Sequence, residues 1–379
     1  MKTNRYISLS RFYAFALSCF FAFAFFSCSQ EDFPPNEGEE YGYIITTVRT
    51  PRGGSALALP DASLPLHEQD HVLHSLRIFV FVGNQLETQS GVIRRGDPEW
   101  IAWEKYGYHR LQVTLGTKEI LMVANETAAM YPRLNAVQTI GALHGVMADP
   151  IESVFIFDPN QGLPMTGSAT QALIQENGIY SVTIPLTRMV ARLDMTIIDG
   201  SEKGIEIYSV SLLNNKGRSL LWNVDGLRMQ AADDDFFNIY FNVDGDGCPL
   251  ADYTYDFAVD RTKVPNGNDF WEFPLLYLYE NLHGGEDPFR RTELEIKARL
   301  FLEDYDDPSI RIPFYVIYRV FINEQRSVNS LPNDEFLIQR GHHYILTGTI
   351  WGTEYTHITV KMEAQPWQAG DSDPQRPLF

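Results

Sequence analysis

The residues whose types and spacing most suggest chemistry lie in the stretch LHEQDHVLH. His67, Glu68 and His71 fit the H-E-x-x-H pattern, in which two imidazoles bind zinc and the glutamate activates a water molecule. That chemistry requires a helix, because residues four apart then share one face. Two prolines precede the motif closely and a strand-like run, LRIFVFV, follows it, which leaves room for only about two helical turns. We therefore predict no metal site and no cofactor, and a zinc metallopeptidase is kept only as an alternative.

Three other groups of residues could also form a metal or ligand site. His342 and His343 are adjacent in RGHHYIL, and alternation along a strand places them on opposite faces, so they do not share an ion. Asp244 and Asp246 are the acidic residues best suited to calcium, but their surroundings lack the ligand spacing of an EF-hand loop and favour a solvated turn. Aromatic residues that could line a sugar site are more typical of a core, namely Trp271, Tyr277, Tyr279 and Trp351.

The first 27 residues have the pattern of an export signal. Lys2, Arg5 and Arg11 precede an apolar run, and Cys28 follows a small residue. The segment resembles a bacterial lipoprotein signal, in which the thiol of Cys28 is lipidated and becomes the new N-terminus. An ordinary cleaved signal peptide is the alternative. We predict export to the outer membrane and display on the cell surface.

Charge and cysteine content exclude several classes of partner and site. The formal net charge is −19. All charged side chains of the export segment are positive, so the rest of the chain has a more negative net charge still. Nucleic acid and anionic lipid surfaces repel such a protein. Only Cys248 lies beyond the signal and Cys28, so neither a disulfide framework nor a cysteine metal site is possible.

The rest of the chain repeats one pattern, which is typical of β-strands. Runs such as YGYIITTV, LRIFVFV, IYSVTIPL and FYVIYRVFIN are rich in Val, Ile, Tyr and Phe and are separated by turn residues. One stretch, NAVQTIGALHGVM, has helical periodicity. The fold class is therefore all-β, with β-sandwiches and one short helix in the N-terminal domain. The predicted divisions are a signal peptide at 1–27, a lipidated tether at 28–41, an N-terminal sandwich at 42–190 and a C-terminal sandwich at 191–379.

A resemblance to a known family starts at the seam between the two halves. MTGSATQALIQENGIYSVTIPLTRMVARLDMTI, residues 165–197, resembles the mid-chain signature of the Bacteroidia fimbrillin family, whose members are lipoprotein precursors of type V pilus subunits. LRIFVFVGNQ, EILMVAN, FPLLYLYEN, IQRGHHYILTGTIW and ITVKMEAQPW agree in order. The resemblance implies two transthyretin-like β-sandwich domains in tandem and a structural role in adhesive pili rather than an enzyme.

The resemblance also implies how such a subunit assembles. An arginine-specific protease cuts after the first strand, and a strand from another fimbrial subunit fills the groove that the departing strand leaves. In this sequence the cut would fall at Arg52 or Arg49, in a segment rich in Gly, Pro, Ser and Ala. The displaced strand would comprise Ile44, Ile45, Thr46, Thr47 and Val48.

Two questions about assembly stay open at this level. The terminal stretch QAGDSDPQRPLF is polar and contains two prolines, so it reads poorly as a donor strand. Either THITVKMEAQPW takes part in donation, or the subunit does not donate and sits at a tip. The alternative function is a lipid-anchored surface protein that binds a glycan or a host protein without polymerising.

Overall fold

The structure is a computed structural model, which describes residues 41–49, 70–148, 162–201, 205–222, 236–241, 260–263, 269–273, 275–282, 288–303, 307, 309–323, 336–351 and 358–366. In the first half the strands are β1 (Tyr41–Arg49), β2 (Ser75–Val82), β3 (Gln85–Arg94), β4 (His109–Thr114), β5 (Gly116–Ala124), β6 (Met165–Ile174), β7 (Ile179–Pro185) and β8 (Thr187–Arg188). In the second half they are β9 (Val190–Asp199), β10 (Ile205–Lys216), β11 (Phe236–Phe241), β12 (Asp260–Lys263), β13 (Asp269–Glu272), β14 (Leu276–Tyr279), β15 (Glu293–Glu303), β16 (Arg311–Phe321), β17 (His342–Ile350) and β18 (Ile358–Pro366).

Within the described residues, three short helices lie in the first half, where the sequence predicted one. They are α1 (Pro98–Tyr106), α2 (Tyr131–Asn135) and α3 (Ile140–His144), and a 3-10 helix follows at Pro288–Arg290. Of the stretch expected to be helical, only Ile140–His144 forms a helix: α2 ends at the first residue of the stretch, Asn135, and Thr139 starts α3, its hydroxyl oxygen accepting from the Ala142 amide at 3.1 Å. The described residues therefore contain more short helices than the single one predicted.

The first half consists of two sheets that enclose one core. A three-stranded sheet has the order β4-β1-β7, and a five-stranded sheet has the order β3-β2-β5-β6-β8. Ile44 of β1 packs in the same buried cluster as Ile78 of β2 and Ile120 of β5. β2 is buried on both faces, which explains why LRIFVFV is continuously apolar rather than alternating.

The second half repeats this arrangement with two further sheets. One has the order β11-β10-β15-β16, and the other runs β12-β13-β9-β17-β18 with β14 also paired to β9. Phe79 and Phe81 lie on the face of β2 that points away from Ile44, and they belong to the buried cluster of these two further sheets. The all-β sandwich class is thus confirmed, whereas the division at residue 190 stays a prediction.

None of the described helices combines the length and apolar character that crossing a bilayer requires.

Candidate functional site

The strand predicted to be displaced, β1, is the central strand of its sheet. Tyr41 to Thr46 pair antiparallel with β4, and Tyr43 to Arg49 pair parallel with β7. Both edges of β1 are therefore hydrogen-bonded. Its departure would leave β4 and β7 facing each other across a groove one strand wide, each with an unpaired row of backbone donors and acceptors.

The inward face of β1 follows the two-residue period of a strand. Gly42, Ile44 and Thr46 are buried, whereas the residues between them are partly exposed. Ile44 lies opposite Leu111 of β4 and Tyr180 of β7, and it is fully buried. The Thr46 hydroxyl donates to the His109 carbonyl oxygen at 3.2 Å, so the buried hydroxyl is satisfied.

The outward face and the ends of β1 make polar contacts. The guanidinium of Arg110 lies 3.6 Å from the ring centroid of Tyr43, a cation–π contact on the solvent side. The hydroxyl oxygens of Thr47 and Thr183 lie 2.9 Å apart and share a hydrogen bond. At the exposed end of the strand, the Leu186 amide donates to the Arg49 carbonyl oxygen at 2.9 Å. The backbone of Arg49 is thus engaged while its side chain is exposed.

A histidine at the end of β4 borders the groove without carrying charge into it. The ring of His109 stacks on Trp103 of α1, with centroids 5.9 Å apart. Burial lowers the pKa of His109, and the carboxylate of Glu99 offsets that effect only in part. The imidazole is consequently neutral at physiological pH, which suits a largely apolar groove.

The chain immediately before β2 is fixed by a buried ion pair. A carboxylate oxygen of Asp70 lies 2.8 Å from the Arg188 guanidinium, and both side chains are almost fully buried. The Asn125 side chain donates to the Val72 carbonyl oxygen at 2.9 Å and accepts from the His74 amide at 2.7 Å. Residues 70–75 are thereby held independently of β1.

Two landmarks of the mid-chain signature have a clear structural role. Gly167, the third residue of that signature, lies so close to β7 that a Cβ atom there would come within 2.4 Å of the Pro185 carbonyl oxygen. Arg192 donates to Asp194 at 2.9 Å, and His343 Nε2 lies 2.8 Å from the same carboxylate oxygen. Burial alone would raise the pKa of Asp194, but the hydrogen bonds from His343 and Arg192 outweigh it and lower the pKa.

The described part of the H-E-x-x-H motif is not helical. His71 lies in a turn that leads into β2, and His67 and Glu68 lie outside the described residues. Asp70, inside the same motif, is the residue with a structural role there. Sequence reasoning missed it because the ion pair with Arg188 joins positions 118 residues apart.

Other predicted sites have mixed outcomes. Cys28, Arg52, Asp244 and Asp246 lie outside the described residues. Within the described ranges, no group of three or more His, Cys, Asp or Glu side chains is arranged to hold a metal ion. His343 is buried beside Asp194, while His342 is only partly buried. Of the aromatic residues considered for a sugar site, three are core residues and one is exposed: Trp271, Tyr277 and Tyr279 are buried, and Trp351 is 41% exposed.

An exposed apolar edge strand is a second candidate surface. β16 lies at the end of its sheet, next to β15. Ile312, Phe314, Tyr315 and Ile317 are 45%, 44%, 60% and 56% exposed, and Tyr208 packs edge-on against Tyr315. Exposed apolar edge strands tend to pair with other chains. Sequence reasoning read FYVIYRVFIN as an ordinary strand, and only its unusual richness in aromatic and aliphatic residues could have signalled exposure.

Comparison with known proteins places the fold. No protein-family model matches the chain. The chain is 22% identical over 360 residues to the major fimbrium subunit FimC of Porphyromonas gingivalis, covering 92% of this chain and 68% of that protein.

Several solved structures have a similar fold. A protein described as a cell adhesion protein from Parabacteroides distasonis matches with a TM-score of 0.56 at 14% identity, covering 87% of this chain and 99% of the other. The tip fimbrial protein Mfa3 of P. gingivalis, solved with a C-terminal truncation, matches with a TM-score of 0.51 at 15% identity over 86% of this chain and 100% of the other. The fimbrilin FimA of the same species matches with a TM-score of 0.51 at 14% identity over 87% and 98%.

These relatives are fimbrial subunits and proteins described as adhesion proteins rather than enzymes, in agreement with the predicted absence of catalysis. The chain is a homologue of a Bacteroidales fimbrium subunit with the β-sandwich fold of solved fimbrillins, and the predicted resemblance is confirmed.

Proposed function

We propose that this chain is a subunit of a surface fimbrium that supports adhesion, and that strand exchange at β1 joins it to other fimbrial subunits. The single observation that carries the proposal is the position of β1, which is the central strand of its sheet and places Ile44 in the core. The homologous protein is itself named as a major fimbrium subunit, which supports the same role.

The physical basis is that a vacated groove is unstable until it is filled. Without β1, the pocket of Ile44 and the facing edges of β4 and β7 would be exposed to water, at a cost in both apolar surface and backbone hydrogen bonds. An extended strand from a neighbour restores both kinds of contact. Because donor and acceptor surfaces differ, such contacts run head to tail and build a filament rather than a closed ring.

Export as a lipoprotein and proteolytic cutting complete the proposal. Lipidation of Cys28 would hold the precursor at the outer membrane through the N-terminal tether. Cutting at Arg52 or Arg49 would separate β1 from the retained chain and end the attachment to lipid. Of the two, Arg52 is the better site, because the Arg49 carbonyl oxygen is hydrogen-bonded to Leu186 and a protease must first pull that end of β1 free.

Substitution of the two arginines tests the proposal. Lysine keeps the charge but is not cut by an arginine-specific protease, so an Arg49→Lys/Arg52→Lys double variant is expected to remain intact and to form no filaments with purified partner subunits. Arg133→Lys, an exposed arginine on α2, is the matched control and should assemble normally. Filaments from the uncut double variant, seen by electron microscopy, would refute cleavage-dependent exchange.

A second candidate function is a surface binding module that does not polymerise. The exposed apolar side chains of β16 favour it, since a glycan or a host protein could pack against them. The test is binding of the uncut chain to a panel of glycans and purified matrix proteins. Tyr315→Ser should abolish binding if this candidate is correct, whereas Phe289→Ser, which changes an aromatic residue 86% exposed elsewhere, should not.

The metallopeptidase alternative makes a clear prediction as well. A zinc enzyme must contain stoichiometric metal that depends on its histidines. We expect metal analysis of the purified chain to find less than stoichiometric zinc, unchanged by His71→Ala. One zinc ion per chain, lost in that variant, would reinstate the peptidase.

A further inference from the structure

The groove occupied by β1 has one position that excludes every side chain. A Cβ atom on Gly42 would lie 2.4 Å from Ile174 Cγ2, 2.9 Å from the Gln175 carbonyl oxygen and 3.3 Å from the Gly178 carbonyl oxygen. Two of these three atoms are backbone atoms of the turn between β6 and β7, and a side-chain rotation cannot move them. Glycine is required here because β1 passes so close to the end of β6 and to the turn that follows it.

The turn that closes this end of the groove is itself braced. The Gly178 amide donates to the Gln175 carbonyl oxygen at 3.0 Å, and the Gln175 amide donates to the Tyr180 hydroxyl oxygen at 3.0 Å. Neither bond involves β1, so both persist when β1 leaves. Two further bonds join the turn to β1, from the Tyr43 amide to the Gly178 carbonyl oxygen and from the Asn177 amide to the Tyr41 carbonyl oxygen, both at 2.9 Å. An incoming strand must remake these two bonds to hold the wall opposite Gly42 in place.

The next two inward positions have different requirements. At Ile44 the pocket is apolar and fully enclosed, between Leu111 and Tyr180. At Thr46 it is fully enclosed as well, but it offers the His109 carbonyl oxygen as a hydrogen-bond acceptor. A branched aliphatic residue suits the first position, and a small hydroxyl residue suits the second.

We propose that the groove left by β1 selects a strand with glycine, a branched aliphatic residue and Ser or Thr at alternate positions, with the glycine beside the β6–β7 turn. The strand runs parallel to β7 and antiparallel to β4, as β1 does. This inference rests on the proposed strand exchange and names the chemistry of its occupant.

Outside β1 itself, no segment of these 379 residues meets that requirement, so we take the occupant to be a strand of a different protein. In the 379 residues, glycine followed at the second position by Ile, Leu or Val and at the fourth by Ser, Thr or Ala occurs only at Gly42. β18 contains no glycine, and it is paired along its length with β17, from Ile358 to Pro366. Donation by β18 would break that pairing and still place a side chain where Gly42 lies in β1.

Peptide exchange into the cut full-length chain tests the inference. The chain is nicked by an arginine-specific protease, and a labelled peptide YGYIITTV, the sequence of residues 41–48, is added in excess. Native mass spectrometry measures displacement of the N-terminal fragment, and fluorescence anisotropy measures affinity. We expect this peptide to enter, and the Gly42→Val peptide to bind about tenfold to a hundredfold more weakly, from the usual cost of overpacking.

Three controls test whether the effect comes from the position of Gly42, where the groove excludes a side chain. An Ile45→Val peptide, changed by one methylene group on the solvent side, should bind as the native peptide does. An Ile174→Ala protein should recover part of the affinity for a Gly42→Ala peptide, because the nearest obstructing methyl group is gone. The β18 peptide ITVKMEAQP should not enter.

The outcomes separate this inference from the proposed function. Entry of the native and Gly42→Val peptides with equal affinity would overturn the glycine requirement and leave strand exchange standing. Entry of the β18 peptide would overturn the conclusion that the donor is a different protein. If even the native peptide fails to enter, strand exchange at this groove is wrong and the inference falls with it.

Discussion

Ile44→Ala should destabilise the intact chain far more than the same change at its neighbour. Ile44 is fully buried, and truncation removes three carbon atoms from a closed pocket. At about 0.8 kcal/mol per buried methylene, lost transfer free energy amounts to about 2.4 kcal/mol. The cavity left behind adds to this, so we expect a loss of about 3–4 kcal/mol in the free energy of unfolding.

Ile45→Ala provides the matched control, because it makes the same chemical change one residue along on the outward face. Ile45 is partly exposed, and its truncation should cost less than about 1 kcal/mol. Urea unfolding followed by tryptophan fluorescence measures both, since Trp100 and Trp103 lie in the same core as Ile44. Equal losses in the two variants would refute the inward pocket and, with it, the groove.

Two further perturbations test the polar contacts that fix the retained chain. Arg188→Met leaves the Asp70 carboxylate buried without its guanidinium and should lower the free energy of unfolding in urea by about 3–5 kcal/mol. Adding Asp70→Asn to that variant should recover much of the lost stability, and no recovery would argue against the ion pair. The pKa of Asp194 is lowered because hydrogen bonds from His343 and Arg192 outweigh its burial, so its stabilising contribution is complete above the ordinary carboxyl pKa of about 3.9 and is lost as the pH falls through the lowered value. The stability difference between wild type and Asp194→Asn should therefore shrink below about pH 4, and a difference independent of pH would contradict this assignment.

The first strand could be predicted from the sequence, but its neighbours could not. Alternation in YGYIITTV identifies a strand and its inward residues, because the two-residue period depends only on local geometry. Pairing with β7 joins Thr47 to Thr183, 136 residues away, and no local pattern encodes that contact. The central position of β1 is therefore a result of the structure.

Helix α1 shows a signal that sequence reasoning overlooked. Asp97 precedes it, Pro98 is its first residue, Gly107 follows its last residue with φ 78°, and Trp100 and Trp103 are buried. Proline at the first turn and glycine after the last are ordinary helix limits. The surrounding strand-like runs and the short length concealed them. For the ion pair of Asp70 and Arg188 no such signal exists, since each residue looks like an ordinary charged side chain in its own segment.

The central claim, that a partner strand replaces β1, is tested most directly by a photo-cross-linking residue at Thr183. Thr183 faces solvent and contacts Thr47, so the probe reports the occupant of the groove without filling it. In the uncut chain the cross-link should join residue 183 to β1. In filaments assembled from the cut chain and purified partner subunits, it should join residue 183 to a strand of the partner. Filaments in which residue 183 still cross-links to residues 41–49 of its own chain would contradict strand exchange.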